Sequence, residues 1–171
     1  INKLGAAITA HFQKTDNENI HLLTTDISNG VSNASFAAEL AHGINLRAYQ
    51  FDKYLTKKKP AEKHYTISVA NPSAATDRYQ QLAAIEKGVF LARDLTSEVP
   101  SAMTPVDFAD AAKALKKLGV KITILAPKQI EKLGMGALHA VGRGSHEGAR
   151  LVIAHWQGNS DAPIALVGKG I

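Results

Sequence analysis

The sequence contains no cysteine, so it can form neither a disulfide framework nor a thiolate metal site. That suits a reducing cytosol. Long hydrophobic runs are also missing. The longest apolar stretches, residues 88–92 and 164–168, fall far short of the roughly 20 residues a membrane-spanning helix needs. No signal-peptide pattern, internal repeat or low-complexity tract is visible. Charge of one sign is not concentrated either: 20 Lys and Arg stand against 15 Asp and Glu, net +5. The one basic run, Lys57-Lys58-Lys59, is flanked by Lys53 and Lys63. A solvated linker is expected there rather than a phosphate-binding patch. The seven histidines include no H-E-x-x-H pair. His139, His146 and His155 are spaced for neither one helix face nor a metal motif.

What is present is globular. Hydrophobic residues make up 45% of 171 positions and charged residues 20%, enough for one ordinary domain or two small ones. Leu4, Ala7, Ile8 and Phe12 fit one helical face, and a short strand is expected at residues 20–24. Ser32 is placed to cap a helix with the stripe Phe36, Leu40, Gly43, Ile44 and Ala48. An alternating strand follows around residues 64–70. A long helix is expected over 76–96, its apolar positions Leu82, Ile85, Val89, Leu91 and Ala92 drifting around the axis as in a connector. Thr104-Pro105-Val106-Asp107 reads as a helix start, with Thr as N-cap, Pro at N1 and an acid at N3. Phe108, Ala112 and Leu115 line its face, and Gly119 ends it. A strand through Val120, Ile122 and Ile124, a short helix over 127–133 closed by Gly134, and strands at 138–141, 151–156 and 164–167 complete the pattern. Strands alternating with helices indicate an α/β fold with a mostly parallel sheet.

Two glycine-rich segments invite chemistry. Gly142-Arg143-Gly144-Ser145-His146-Glu147-Gly148 resembles a phosphate cradle, but its third glycine falls one position late for G-x-G-x-x-G and no helix pattern follows. A tight turn is the better reading, and Ser145 lacks the G-x-S-x-G frame of a hydrolase elbow. Gly168-Lys169-Gly170 directly follows the apolar run 164–167. At a strand's carboxyl end, where ligands bind in open α/β sheets, flanking glycines leave a lysine amine free to point into a crevice. By itself Gly-Lys-Gly occurs in many surface turns.

The order of several segments carries more. Leu133-Gly134-Met135-Gly136-Ala137, Val141-Gly142-Arg143-Gly144-Ser145, Arg150-Leu151 and Val167-Gly168-Lys169-Gly170-Ile171 together resemble the leucyl aminopeptidases, the cytosolic M17 metallopeptidase family. Tyr49-Gln50-Phe51-Asp52-Lys53-Tyr54 is similar to that family's Tyr-Arg-Phe-Asp-x-Tyr signature. Arg93-Asp94-Leu95 and Thr104-Pro105 are similar to its interdomain segment. Two departures touch no known ligand: Ser97, Val99, Pro100 and Ser101 replace an Asn-x-Pro-x-Asn pattern, and Ala149 stands where proline often precedes Arg-Leu.

The resemblance implies a fold, an activity and a metal. Residues 1–75 would form part of a small amino-terminal macro-like α/β domain, 76–97 a linking helix, and 98–171 the beginning of an α/β/α catalytic domain. The chain would be a fragment truncated at both ends, inactive and poorly soluble alone, with faces such as Phe108, Leu115 and Val89 uncovered. The intact protein would be a cytoplasmic homohexamer that uses two divalent ions, Zn or Mn, to activate water and release residues such as leucine from peptide amino termini. Lys169 would be a metal ligand, and no catalytic residue would lie within the chain. Met135 reads as core packing and Asp52 as a structural cap. The alternative reading is a DNA-binding or nucleotide-binding accessory module, with weak, salt-sensitive DNA contacts through Lys53, Lys57, Lys58, Lys59 and Lys63.

Overall fold

The computed structural model describes residues 1–24, 32–57 and 61–170. Lys58, Lys59 and Ile171 lie outside the described residues. The chain forms two compact units, Ile1–Ser97 and Glu98–Ile171. Both are mixed α/β.

The first unit runs α1 (Asn2–Phe12), β1 (Asn19–Leu23), α2 (Asn33–Ala48), β2 (His64–Ser68) and α3 (Pro72–Ser97). β1 and β2 pair in parallel, with Ile20 opposite Tyr65, so α2 is the crossover of a βαβ unit. Ser32 caps α2 as its sequence indicates, its hydroxyl accepting from Ser35 N at 3.2 Å. Ile20, Ala37, Ala38, Leu40 and Ile44 are core residues.

α1 buries a different face from the one its apolar residues mark. Leu4 is half exposed, whereas Gly5 and Thr9 are buried. The reason is backbone proximity to α2. A Cβ added at Gly5 would lie 2.8 Å from Ile44 N, and one added at Gly43 would lie 2.8 Å from the Asn2 backbone. Only hydrogen fits at that crossing, so small residues rather than large apolar ones sit in it. Thr9 turns its hydroxyl back to Gly5 O at 3.0 Å, satisfying its one donor inside the contact.

α3 departs from its expected stripe in the same way. Ile85 and Leu91 are exposed, and the buried positions are Ala75, Leu82 and Glu86. Its cap is Asn71, whose Oδ1 accepts from Ala74 N at 3.1 Å. Ala48, expected on the inner stripe of α2, is exposed, and His42 takes an inner place instead.

The second unit contains a 3₁₀ turn (Pro100–Ala102), α4 (Pro105–Lys113), a second 3₁₀ turn (Ala114–Leu118), β3 (Lys121–Leu125), α5 (Pro127–Lys132), α6 (Gly136–Gly142) and β4 (Leu151–His155). The capping box foreseen at Thr104 is present. Thr104 N donates to Asp107 Oδ2 at 3.0 Å, and Asp107 N donates to Thr104 Oγ1 at 3.4 Å. The Thr104 hydroxyl also donates to Asp107 Oδ2 at 2.6 Å, and this bond first, with that from Thr104 N, holds the Asp107 carboxyl below its ordinary range. Gly119 ends the following turn in the left-handed region at φ 83, where any other residue carries a steric penalty. Ile130 of α5 and Ala109 of α4 are the buried apolar residues of this unit. On α4, Ala109 takes the inner place, while Phe108 and Ala112 are half-buried, as is Leu115, which falls in the 3₁₀ turn after α4 and not on the single helix expected through Gly119.

Three strand expectations need correction. Residues 138–141 belong to α6, not a strand. A short run of Ala, Leu and Val suits either period, and the helix-forming alanines decide it. Residues 164–167 join no ladder among the described residues. Val167 is 97% exposed; a β-strand needs a hydrogen-bonded neighbour, and alternation or apolarity alone supplies none. The mostly parallel sheet is instead two separate pairs, β1–β2 parallel and β3–β4 antiparallel. The faces expected to lie uncovered at Phe108, Leu115 and Val89 are half-buried. Exposed apolar side chains in these units are others, among them Leu23, Ile85, Leu118, Val141 and Trp156.

Candidate functional site

Lys169 lies in the irregular stretch after β4, exposed, between two glycines in different surroundings. A Cβ on Gly168 would meet nothing within 4 Å. A Cβ on Gly170 would stand 3.2 and 3.3 Å from ring atoms of Phe108 on α4. The lysine amine makes no hydrogen bond or ion pair among the described residues, so its lone pair, once the proton is lost, is available to a cation. No group of three or more His, Cys, Asp or Glu that could hold a metal occurs among the described residues. A single exposed amine is not a metal centre by itself.

The segment 142–148 is a turn leading into β4, as its glycine spacing suggested. Ser145 Oγ accepts from Glu147 N at 3.3 Å, and Arg150 donates to the carbonyls of Glu147 and Ala149 at 2.9 and 3.0 Å. A Cβ on Gly142 would lie 2.7 Å from Ala149 N, so glycine there permits close packing of the turn on itself. His139 is half-buried in α6, while His146 and His155 are exposed. The three are not gathered into one group. Met135 sits half-buried at the start of α6.

Two segments singled out separately in the sequence meet inside the first unit. Tyr49 donates its hydroxyl to Asp94 Oδ1 at 2.7 Å and stacks on Phe90, with ring centroids 5.4 Å apart. The Arg93 guanidinium lies over the Tyr49 ring at 5.3 Å and donates to Leu46 O at 2.6 Å. Desolvation, then the Asp94 bond, raises the Tyr49 hydroxyl above its ordinary value. These residues clasp the end of α2 to α3. Asp52 is half-buried in the following turn, its carbonyl accepting from Leu55 N at 3.0 Å.

The basic tract is partly engaged within the fold. Lys63 donates its amine to Thr15 O and Asn17 O at 2.6 and 2.8 Å, tying the turn before β1 to the approach to β2. Lys53 lies over the Tyr54 ring at 5.4 Å. Lys57 is exposed.

The cluster that sequence reasoning missed is buried between α2 and α3. Glu86 is 4% exposed and His42 is 6% exposed. His42 Nδ1 and Glu86 Oε1 are 2.8 Å apart, Tyr79 donates to Glu86 Oε2 at 2.8 Å, and Asn45 Nδ2 donates to both Glu86 and Tyr79. Desolvation, then the Glu86 bond and charge, pushes the Tyr79 hydroxyl up to about 12. A folded value above the unfolded one, ordinarily 10, means the protonated phenol stabilises the fold. That contribution is complete below pH 10 and is lost as pH rises toward 12. Melting midpoints between pH 9 and 12 should therefore fall in the native chain, and fall less in Tyr79→Phe. Equal slopes in the two would remove the phenol from the network's energetics.

The model of the cytosol aminopeptidase family, catalytic domain, matches residues 90–171. A probable cytosol aminopeptidase of Shewanella oneidensis is 46% identical over 171 residues, covering all of this chain. This chain belongs to the cytosol aminopeptidase family. A probable cytosol aminopeptidase of Rhizobium etli is 42% identical over 177 residues, covering 99% of this chain. The chain spans about a third of these relatives, 33% and 35% of their lengths.

Solved structures share the fold. The bottromycin maturation enzyme BotP in complex with Mn matches with a TM-score of 0.71 at 25% identity, covering 88% of this chain and 32% of that one. A tomato leucine aminopeptidase mutant matches with a TM-score of 0.73 at 21% identity, covering 88% and 32% respectively. The α/β class expected from the alternation of elements is that of these aminopeptidases. No helix among the described residues is long and apolar enough to cross a membrane.

Proposed function

We propose that the protein carrying this chain is a metal-dependent aminopeptidase of the leucyl type, which releases residues such as leucine from peptide amino termini with the help of two divalent ions, Zn or Mn. The observation that supports this most is Val167-Gly168-Lys169-Gly170-Ile171 closing the stretch that matches the catalytic domain. Bound divalent ions supply a positive centre that polarises a carbonyl and makes water nucleophilic near neutral pH. Lys169 contributes one ligand. Its neutral amine offers a lone pair, and the glycines on either side let the backbone come close to the ion. The remaining donors come from sequence beyond these residues, since one amine does not hold a dication against water. The manganese bound by BotP supports the choice of ion.

In the same reading residues 1–75 are an amino-terminal domain of macro-like type, 76–97 link it onward, and 98–171 begin the catalytic domain. The whole protein assembles as a cytoplasmic homohexamer. The test is hydrolysis of leucine amide by the full-length protein and by the 171-residue chain. Turnover by the full-length protein that a chelator abolishes and manganese or zinc restores is expected, with none from the chain alone. Chelator-resistant turnover would refute the assignment, and turnover by the chain alone would refute the placing of the remaining donors outside it.

A further inference from the structure

The two glycines beside Lys169 are not equivalent, and the difference names another residue that positions this lysine. Gly168 has open space where a side chain would be, whereas the missing side chain of Gly170 is where the Phe108 ring lies, at 3.2, 3.3 and 3.5 Å from three of its ring atoms. Contacts of 3.2 and 3.3 Å are tighter than carbon atoms adopt at their optimum of about 3.5–4.0 Å. A methyl group at position 170 therefore has to displace either the ring or its own backbone. The ring has limited freedom to yield, because its helix is fixed just before it. Phe108 follows Asp107 directly, and Asp107 closes the capping box with Thr104 while Pro105 occupies the first turn. Phe108 is itself half-buried in the unit whose inner residues are Ala109 and Ile130.

We propose that Phe108 is a positioning residue for Lys169: its ring is a seat on which Gly170 rests, setting the level at which the lysine leaves the chain. The proposal rests on the reading of Lys169 as a metal ligand. The level at which the backbone is held sets which staggered rotamers of the flexible lysine stem bring its amine to the ion, so the seat matters to the amine although it never touches the ion. Relieving contacts of 3.2 and 3.3 Å takes a few tenths of an ångström, which narrows that choice of rotamers.

The experiment uses the full-length enzyme and reads bound manganese per subunit, kcat and KM on leucine amide, and the melting temperature. Gly170→Ala is expected to lower bound manganese and reduce kcat about 10-fold, with KM changed far less. Phe108→Leu, which withdraws the ring atoms, is expected to be mild alone and to restore most of the metal and kcat to Gly170→Ala. Gly168→Ala, whose added Cβ meets nothing within 4 Å, should keep its metal and kcat with or without Phe108→Leu. Full metal and full kcat in Gly170→Ala overturns the proposal, and so does a Gly170→Ala defect that Phe108→Leu leaves untouched. Lys169→Ala is measured in parallel. If it keeps full metal and activity, the ligand reading itself fails. Recovery of the Gly170→Ala melting temperature by Phe108→Leu would then still show the ring contact, so the two failures are distinct.

Discussion

Replacing Lys169 in the full-length enzyme should remove most of its activity, and arginine should do no better than alanine. A lysine binds a metal only after shedding its proton, because the ammonium form has no lone pair to give. A guanidinium does not shed its proton under any ordinary condition. Loss of groups that merely orient metal ligands costs about 10–100-fold in affinity or activity, so loss of a ligand should cost at least about 100-fold in kcat/KM. Lys169→Ala and Lys169→Arg should therefore fail together, each with less metal per subunit. Were the lysine acting only as a positive charge near the substrate, Lys169→Arg would keep much of the activity. Metal content and turnover on leucine amide separate the cases, and full activity in either variant removes Lys169 from the metal centre.

The second large effect belongs to the cluster between α2 and α3. His42→Ala leaves the Glu86 carboxylate buried without the imidazole at 2.8 Å. Leaving a buried acceptor without one of its hydrogen-bond partners typically costs about 1–3 kcal/mol, and more for a charged group. Set against total stabilities of about 5–15 kcal/mol for whole proteins, that is a large fraction of what holds a small unit together. His42→Leu combined with Glu86→Leu removes the stranded charge along with its partner and should recover more than half of the loss, with Tyr79 and Asn45 still bonded to each other. Urea unfolding followed by circular dichroism reads both. A loss below about 1 kcal/mol in His42→Ala would mean that water or a neighbour replaces the imidazole.

Why that cluster escaped the sequence is instructive. Along α3 the residues turned inward toward α2 are Ala75, Tyr79, Leu82 and Glu86, a regular 4-3-4 spacing. Apolarity alone marks Leu82, Ile85, Val89, Leu91 and Ala92, and a stripe with a carboxylate and a phenol in it does not register. His42 was hidden the same way on α2. The α1–α2 crossing failed for the opposite reason: its inner residues, Gly5 and Thr9, are too small or too polar to register as a face, yet smallness is what the close backbones require. Signals with their own local chemistry were legible. Ser32 and Thr104 as caps, Pro105 in the first turn and Gly119 at a positive φ all stand where the sequence put them, because each satisfies a backbone requirement without help from distant residues. Strand pairing is not local, and there the sequence was least informative. The run 164–167 is apolar enough for a strand, but nothing in its own residues says which neighbour it would join. The site behaved alike. The order of the segments before Lys169 singles that residue out, whereas the ring beside Gly170 lies 62 positions earlier in the chain and leaves no trace near it.

The parallel pairing of β1 and β2 also bears on the birth of the protein. Every residue of β1 meets one 45 positions further along. At synthesis rates of about 5–20 residues per second, β1 waits roughly 2–9 s on the ribosome before its partner emerges. The antiparallel ladder of β3 and β4 begins with partners only 26 positions apart, Leu125 and Leu151, and closes correspondingly sooner. During the longer wait α1 and α2 can already form and cross, since helices need only their own residues to start. From the completion of α2 at Ala48 until β2 begins at His64, 16 residues later, the nascent chain is two finished helices beside one open strand edge for about 1–3 s. In that interval chaperones have most to protect, and slower translation before β2 would lower the yield of folded protein.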